Sequence, residues 1–352
     1  MAAVSSAACS SSLDTEIDAA AGKPTMRPNG PMVQSDANIF TDAPIGWASV
    51  NDLGQDGTTG GGAAAPTQVA SLAELNAAAA GTTPAVIQLT ASMSGSVKVG
   101  SNKTIEIAPG ATVIFTGHLG FSHSANDIVR NLVIVGNNCT DVVAPDTCEE
   151  GAGADAITIQ SSSHHIWVDH CDISDGSDGN LDIVSASDYV TVSWTKFHYS
   201  TPPRIGGHLF SNLIGSSDSD TGDKGHLRIT YHHDWWADNV VERMPRARFG
   251  QVHLFNNLYL PIGNALYCVG VGVGVNILLE NNDFVGIKAP VDDTHFPSDG
   301  DSVAVSYGNL YESSLTPKDI GTKPVFTPPY DYTIQPAAMV RMLVSANAGP
   351  PK

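Results

Sequence analysis

Short apolar runs alternate with polar residues along most of this chain, and Gly, Asn or Pro cuts each one off. VIQLT, SVKV, KTIEIA, TVIF and LVIVG follow one another closely, and such runs predict short β-strands in succession. Helical periodicity is confined to two places. Ser71 and Glu74 have capping-box spacing and predict a short helix through the alanines to Gly81. Residues 336–344, PAAMVRMLV, start with a proline in the first turn and are followed by Gly349, which predicts a second helix. Residues 1–44 are rich in Ser, Ala, Pro and Asp without sustained periodicity and read as an extended or loosely attached leader. The remainder, 45–352, reads as one β-rich domain.

The strands also repeat. A small or polar residue is followed two positions later by a large apolar one at Cys171/Ile173, Thr195/Phe197, Asp234/Trp236, Asn257/Tyr259, Asn282/Phe284 and Asn309/Tyr311. Successive spacings are 24, 39, 23, 25 and 27, and the Gly/Ser/Pro-rich stretch 198–225 accounts for the long one. A period near 25 without intervening helices predicts an all-β solenoid, a parallel β-helix. One coil cannot bury its own apolar face, so neighbouring coils stack into a common core, with Asn and aromatic side chains stacking along it. The helix at 71–80 would cap the open N-terminal end, and 336–344 would pack on the side. A two-sheet antiparallel sandwich is the competing architecture, but it gives no reason for the registered pairs.

Composition narrows the function. Charged residues are 15% of the chain and the net charge is −19, which argues against a general nucleic-acid binder. No run of 18 apolar residues is present, so no transmembrane helix is expected. The first residues lack the basic end and apolar core of a signal peptide. Five cysteines include Cys139 and Cys148 flanking a short polar loop, where a local disulfide is plausible, and Cys171 at an inward position. No second cysteine pair completes a zinc site, and an oxidising, extracellular setting is the modest inference.

Two clusters carry candidate chemistry. Arg243, Arg246 and Arg248 surround Pro245 in a protein otherwise dominated by acids. Guanidinium groups hold carboxylates by paired hydrogen bonds, although such arginines can also merely neutralise nearby Asp and Glu. Asp169 in WVDHC and Asp178 and Asp182 in SDGNLD fall on successive strands. Stacked coils lie about 4.8 Å apart, so the three are expected on one patch. Crowded carboxylates repel unless a cation joins them, and an oxygen-only donor set favours calcium. His232 and His233 read as strand residues, Trp236 as a stacked core residue, and Trp235 as either surface or sugar-facing.

WVDHCDIS, DGNLDI, VTVSWTKF, LIGSSDSD, LRITYHHDWW and RMPRARFGQVHLFNN occur here in an order that resembles the pectate and pectin lyases of polysaccharide lyase family 1. The resemblance covers roughly 45–350 and implies a right-handed parallel β-helix. It also implies a calcium-dependent pectate lyase that cleaves polygalacturonate by β-elimination. Carried over by motif, Asp169, Asp178 and Asp182 look like metal ligands, Arg243 the catalytic arginine and Arg248 its substrate-binding companion, with Arg246 beside them. Many members have a lysine shortly before the LIGSSDS-like segment. Residues 198–214 have none, which leaves Arg204 or His208 as its substitutes in contacting a galacturonate carboxylate. A secreted monomer acting on pectate is expected, with an alkaline optimum because arginine is ordinarily protonated. A metal-independent pectin lyase and a non-catalytic β-helical carbohydrate binder are the alternatives; a glycoside hydrolase would need two carboxyl groups across the bond.

Overall fold

The computed structural model describes residues 27, 30, 31, 41–136, 155–201, 208–295 and 300–351. Its strands form three long parallel faces, each receiving one short strand per coil. The first face includes Ile157–Gln160, Leu181–Ile183, Leu213–Ile214, Arg246–Ala247 and Val269–Val271. The second runs from Pro66–Val69 to Val303–Tyr307, and the third from Val133–Val135 to Leu310–Glu312. The long strand Ile114–Ser122 serves two faces. Its first half pairs with Val133–Val135 and its second half with Ile157–Gln160. Its bend falls at Gly117, with φ +139° and a neighbouring Gly95 carbonyl only 2.0 Å from where a Cβ would sit. A side chain there would collide with backbone, so glycine is required.

The expected β-helix is what the chain forms, and the repeat explains its interior. Thr195 N–H donates to Asp234 Oδ1 (2.8 Å), Asp234 N–H to Asn257 Oδ1 (2.9 Å), Asn257 N–H to Asn282 Oδ1 (2.9 Å) and Asn282 N–H to Asn309 Oδ1 (2.8 Å). Each side chain thus satisfies the backbone of the previous coil at a corner where no strand ladder can do so. Burial pushes the Asp234 carboxyl well above the usual carboxylate range. Two residues on, Phe197, Trp236, Tyr259, Phe284 and Tyr311 stack in register, with ring centroids 4.2–5.7 Å apart. Before each ladder residue stands one in the left-handed region: His170, Trp194, His233, Asn256 and Asn281 have φ between 47° and 58°. That single residue turns the chain from the second face to the third.

Asn257 shows what the ladder is worth. Its Oδ1 accepts from Asp234 and its Nδ2 donates to the Tyr231 carbonyl (2.9 Å), all in the buried interior. Asn257→Ala strands both backbone groups, and a loss of about 3 kcal/mol is expected from unmet buried donors and acceptors. A shift in the denaturant midpoint at unchanged slope would measure it; a change below about 0.5 kcal/mol, the size of a neutral surface substitution, would deny the ladder its role.

Both predicted helices are present. Helix α1 is Leu72–Ala79; Ser71 Oγ accepts from Glu74 N–H (3.3 Å) and Glu74 Oε2 accepts from Ala70 N–H (2.8 Å). It buries Leu75 and Ala79 in the main core at the N-terminal end of the stack. Helix α2 is Ala337–Asn347, with Pro336 just before it, so it runs three residues past the expected end. Val340 and Val344 pack on Leu258 of the third face. The second face is also covered on its outside: Trp47 N–H donates to Thr230 Oγ1, Ala48 N–H to Thr191 Oγ1, and the Tyr330 hydroxyl lies 2.9 Å from Thr230 Oγ1. Within the stretch read as a loose leader, Arg27 sits 3.2 Å from Glu280 and donates to the Tyr332 hydroxyl. Cys171 and Cys268 are buried free thiols, whereas Cys139 and Cys148 lie outside the described residues.

Candidate active site

Along the first face, alternate residues point inward and outward. Ile157, Ile159, Leu181, Ile183, Ile214 and Ala247 fill the core. Between them an outward row runs Thr158, Asp182, Leu213, Arg246, Gly270, Asp292, each level with its neighbour on the next coil. At about 4.8 Å per coil, Arg246 stands two coils, about 10 Å, from Asp182. The row therefore carries an anionic position at Asp182 and a cationic one at Arg246, with a second acid, Asp292, two coils beyond Arg246.

Three carboxylates build the anionic cluster around Asp182. Asp155 lies just before Ile157–Gln160, Asp178 in the following turn and Asp182 on Leu181–Ile183. Gly179 permits their approach: a Cβ there would lie 2.7 Å from Asp182 Oδ1 and 3.1 Å from Asp155 Oδ1. Burial, then the charge of Asp178, pushes the Asp155 carboxyl up to about 7, despite a 2.7 Å hydrogen bond from Thr158. Burial and Asp155 push Asp182 well above the carboxylate range, against the pull of Arg243. Asp178 goes the other way, lowered by His208, whose Nε2 lies 2.9 Å from its Oδ1.

These groups suit a hard cation. The donors are all oxygen, and Asp155 Oδ1 is buried with no hydrogen-bond partner among the described residues. A buried carboxylate oxygen left unmet is costly, and a bound cation would satisfy it. The arrangement is open rather than a closed cage. Among the described residues no three ligating side chains already converge on one point, and Asp178 faces His208.

Arg243 completes the site. Its φ is +60°, the left-handed region, and the following Met244–Pro245 bond is cis. The left-handed turn lets Arg243 break the parity that groups Arg246 with Arg248. Its guanidinium carbon lies over the Phe210 ring, 4.8 Å from the ring centre, and Nε is buried without a hydrogen-bond partner among the described residues. The charges of Asp155, Asp178 and Asp182 all act with it. A cation stacked on an aromatic face keeps its polar edge free for a second anion.

The remaining expectations divide. Asp169 does not join the other acids, and that expectation is corrected. It ends His164–Asp169 on the second face, where its carboxylate accepts from Ser193 Oγ (2.6 Å) and lies 2.7 Å from His170 Nδ1. Half a coil separates it from the outward row, and its oxygens are committed to the corner. Asp155, which sequence reasoning passed over, takes that place. Arg246 stands in the row, and burial followed by the charge of Arg248 lowers its pKa. Arg248 is only 6% exposed and donates to Asp218 and the Gly215 carbonyl (2.6 Å), so it is committed to the corner after the face. His208 is within the site through Asp178; Arg204 lies outside the described residues. Trp235 is on the third face beneath Lys196, 5.1 Å away, and so is remote from the row. His232 and His233 are buried strand and corner residues; burial holds His233 down to about 4 and His232 well below the histidine range.

The sequence profile described as pectate lyase matches residues 25–352. Pectate lyase A of Aspergillus niger is 34% identical over 321 residues, covering 88% of each chain. Pectate lyase D of Dickeya chrysanthemi is 34% identical over 365 residues, covering 87% of this chain and 88% of its own. Among solved structures, an arginine-to-lysine variant of the Bacillus subtilis pectate lyase superposes with a TM-score of 0.70 at 22% identity, covering 89% of this chain and 99% of its own. A pectate lyase bound to a hexasaccharide gives 0.69 at 22%, with the same coverage. These superpositions bear on the fold, right-handed parallel β-helix, while the profile and the relatives bear on descent: the chain belongs to the pectate lyase family.

Proposed function

We propose that this protein is a calcium-dependent pectate lyase that cleaves (1→4)-α-D-galacturonan by β-elimination, leaving oligogalacturonides with an unsaturated end. The observation that carries the reading is the placement of Arg243. Its guanidinium is fixed over Phe210, its Nε is uncommitted, and it faces three carboxylates on the outer surface of one sheet.

Elimination breaks the C5–H bond and the C4–O bond of a uronate unit and forms C4=C5 between them. The proton on C5 is scarcely acidic while the neighbouring carboxylate keeps its full negative charge. Asp155, Asp178 and Asp182 would hold calcium, which when bound neutralises that carboxylate as a Lewis acid. Arg243 then meets the C5 side of the same unit. In its neutral form Arg243 takes the C5 proton. The C5–H electron pair becomes the second bond of C4=C5, and the C4–O pair leaves with the glycosidic oxygen, which gains a proton from water. The guanidinium then stabilises the charge developed on the carboxylate. Arg246, two coils along the outward row from Asp182, is placed to hold the carboxylate of a neighbouring unit. His208 orients Asp178, and Arg248 supports the corner next to Arg246 through Asp218.

Such a polymer is too large to enter a cell, so the reading places the protein outside it, acting as a monomer. Among the described residues no helix is long and apolar enough to cross a membrane. One assay tests the proposal. Polygalacturonate and highly methyl-esterified pectin are incubated with the protein and calcium, and the ultraviolet absorbance of the C4=C5 product is followed. Product from polygalacturonate, with a much slower signal from esterified pectin, is expected. No absorbing product from either polymer would overturn the lyase reading, and equal rates would overturn the preference for pectate.

A further inference from the structure

A second cationic site lies at the corner where the first face hands over to the second, immediately after Arg248 in sequence. A cavity of about 470 Å³ opens there, lined among others by Lys224, His226, Arg228, Phe249, Asp301 and Lys323. The chain as a whole carries 17 basic against 36 acidic side chains. Three of those 17, with a histidine, nevertheless line this one cavity, and among the described residues Asp301 is its only acidic lining residue.

The cations differ in how tightly they are held. Arg228 is fixed: Asp188 accepts from its Nε at 3.0 and 3.1 Å, and its guanidinium stacks over Tyr189 at 4.2 Å. Asp188 is almost fully buried beneath it and also lies 3.4 Å from His226. Lys323 pairs with Asp301, but both side chains are more than half exposed, 56% and 61%. Pairs so exposed contribute little and exchange readily for another anion. The Lys224 ammonium makes no ion pair or hydrogen bond among the described residues. Arg228 thus gives the cavity a rigid guanidinium wall whose charge Asp188 already meets, and Lys224 and Lys323 give it two cations that can close on a ligand. The volume is that of a small sugar ligand.

We propose that this cavity is a second binding site for the carboxylates of uronate units, holding another segment of the same polyanion that the first face cleaves. The choice of uronate over other anions rests on the proposed function; the anion preference rests on the cavity alone. Two linked contacts raise the retention of a polymer far more than that of a short oligomer. The site would therefore anchor the enzyme to long pectate and leave the chemistry on the first face untouched.

The test separates binding from turnover. Trigalacturonate is titrated calorimetrically into the calcium-loaded Arg243→Lys protein, and two sites per chain are expected. The double variant Lys224→Ala/Lys323→Ala in the same background should lose one site and keep the other. Trigalacturonate with its carboxyls methyl-esterified should fail to fill the second site. In the otherwise wild-type chain, the same double variant should turn over trigalacturonate normally while KM for long polygalacturonate rises about tenfold through loss of the linked contact. One site in the parent, two sites surviving the double variant, or equal filling by the esterified trimer would each overturn the inference. A chain that shows both sites but cleaves nothing would overturn the lyase reading and leave this one standing.

Discussion

Arg243→Lys is expected to lower kcat by about a hundred- to a thousandfold, the loss typical of removing one donor that meets charge developed in the transition state. Lysine preserves a positive charge, so simple attraction for pectate survives. What it loses is the planar fork and its seat on the Phe210 ring, 4.8 Å below the guanidinium. An interaction made mainly in the transition state should leave KM comparatively unchanged, because ground-state binding did not depend on it. Phe210→Leu, which removes the seat but keeps the arginine, should fall between the wild type and Arg243→Lys. Steady-state kinetics on polygalacturonate decide this. A raised KM at undiminished kcat would make Arg243 a carboxylate clamp and put the proton's acceptor elsewhere.

The neighbouring arginines make the comparison sharper. Arg246 shares the outward row with Asp182, so Arg246→Lys is expected to raise KM more than it lowers kcat. Arg248 already donates to Asp218 and the Gly215 carbonyl with its side chain nearly buried. To reach a substrate, Arg248 would have to break its contact with Asp218. The sequence motif alone ranks Arg248 above Arg246 as a substrate contact; the burial and hydrogen bonds of these two side chains favour the opposite order.

Much of the fold was legible because a solenoid repeats its instructions. Each coil needs a polar side chain at the corner to satisfy the backbone of the coil before it, and an aromatic two residues later to fill the core. Thr195, Asp234, Asn257, Asn282 and Asn309 meet the first need, and their spacing gives the period before any strand is assigned. The division of the coils among three faces was not legible. It depends on single left-handed residues such as His170, Trp194 and His233, types that carry no turn signal of their own. The site suffered from that gap. Asp169 and Asp182 are 13 residues apart, about half a coil, which places them on different faces. Asp155 is 23 residues before Asp178 and 27 before Asp182, about one coil from each. The period that revealed the ladder thus also selects Asp155, had it been applied to the acids. The role proposed for Arg243 was suggested only by resemblance, because its left-handed backbone breaks the strand parity that would otherwise place it.

Removing calcium should abolish cleavage of polygalacturonate, and adding it back should restore the rate. The argument lies in the unmet charge of the acidic cluster. Asp155 and Asp182 bring oxygens together over Gly179, and one of them, Asp155 Oδ1, has no hydrogen-bond donor among the described residues. Without a cation their mutual repulsion and burial oppose ionisation, and the site cannot present a neutralising charge to a uronate carboxylate. Because the three carboxylates do not form a closed cage, calcium is expected to bind the free protein weakly and more tightly with substrate present. Substitution at the metal separates the acids by role. Asp155→Asn and Asp182→Asn should each raise the calcium concentration for half-maximal rate by about tenfold or more, as loss of an ionised ligand does at an oxygen site. Asp169→Asn should leave that concentration unchanged and instead lower the unfolding midpoint, since its partners are Ser193 and His170 where the second face turns to the third. Calcium titrations of activity, run beside thermal melts for all three variants, provide the measurement. A calcium requirement that moves with Asp169 and not with Asp155 would return the metal to the second face and remove the basis for the mechanism proposed on the first.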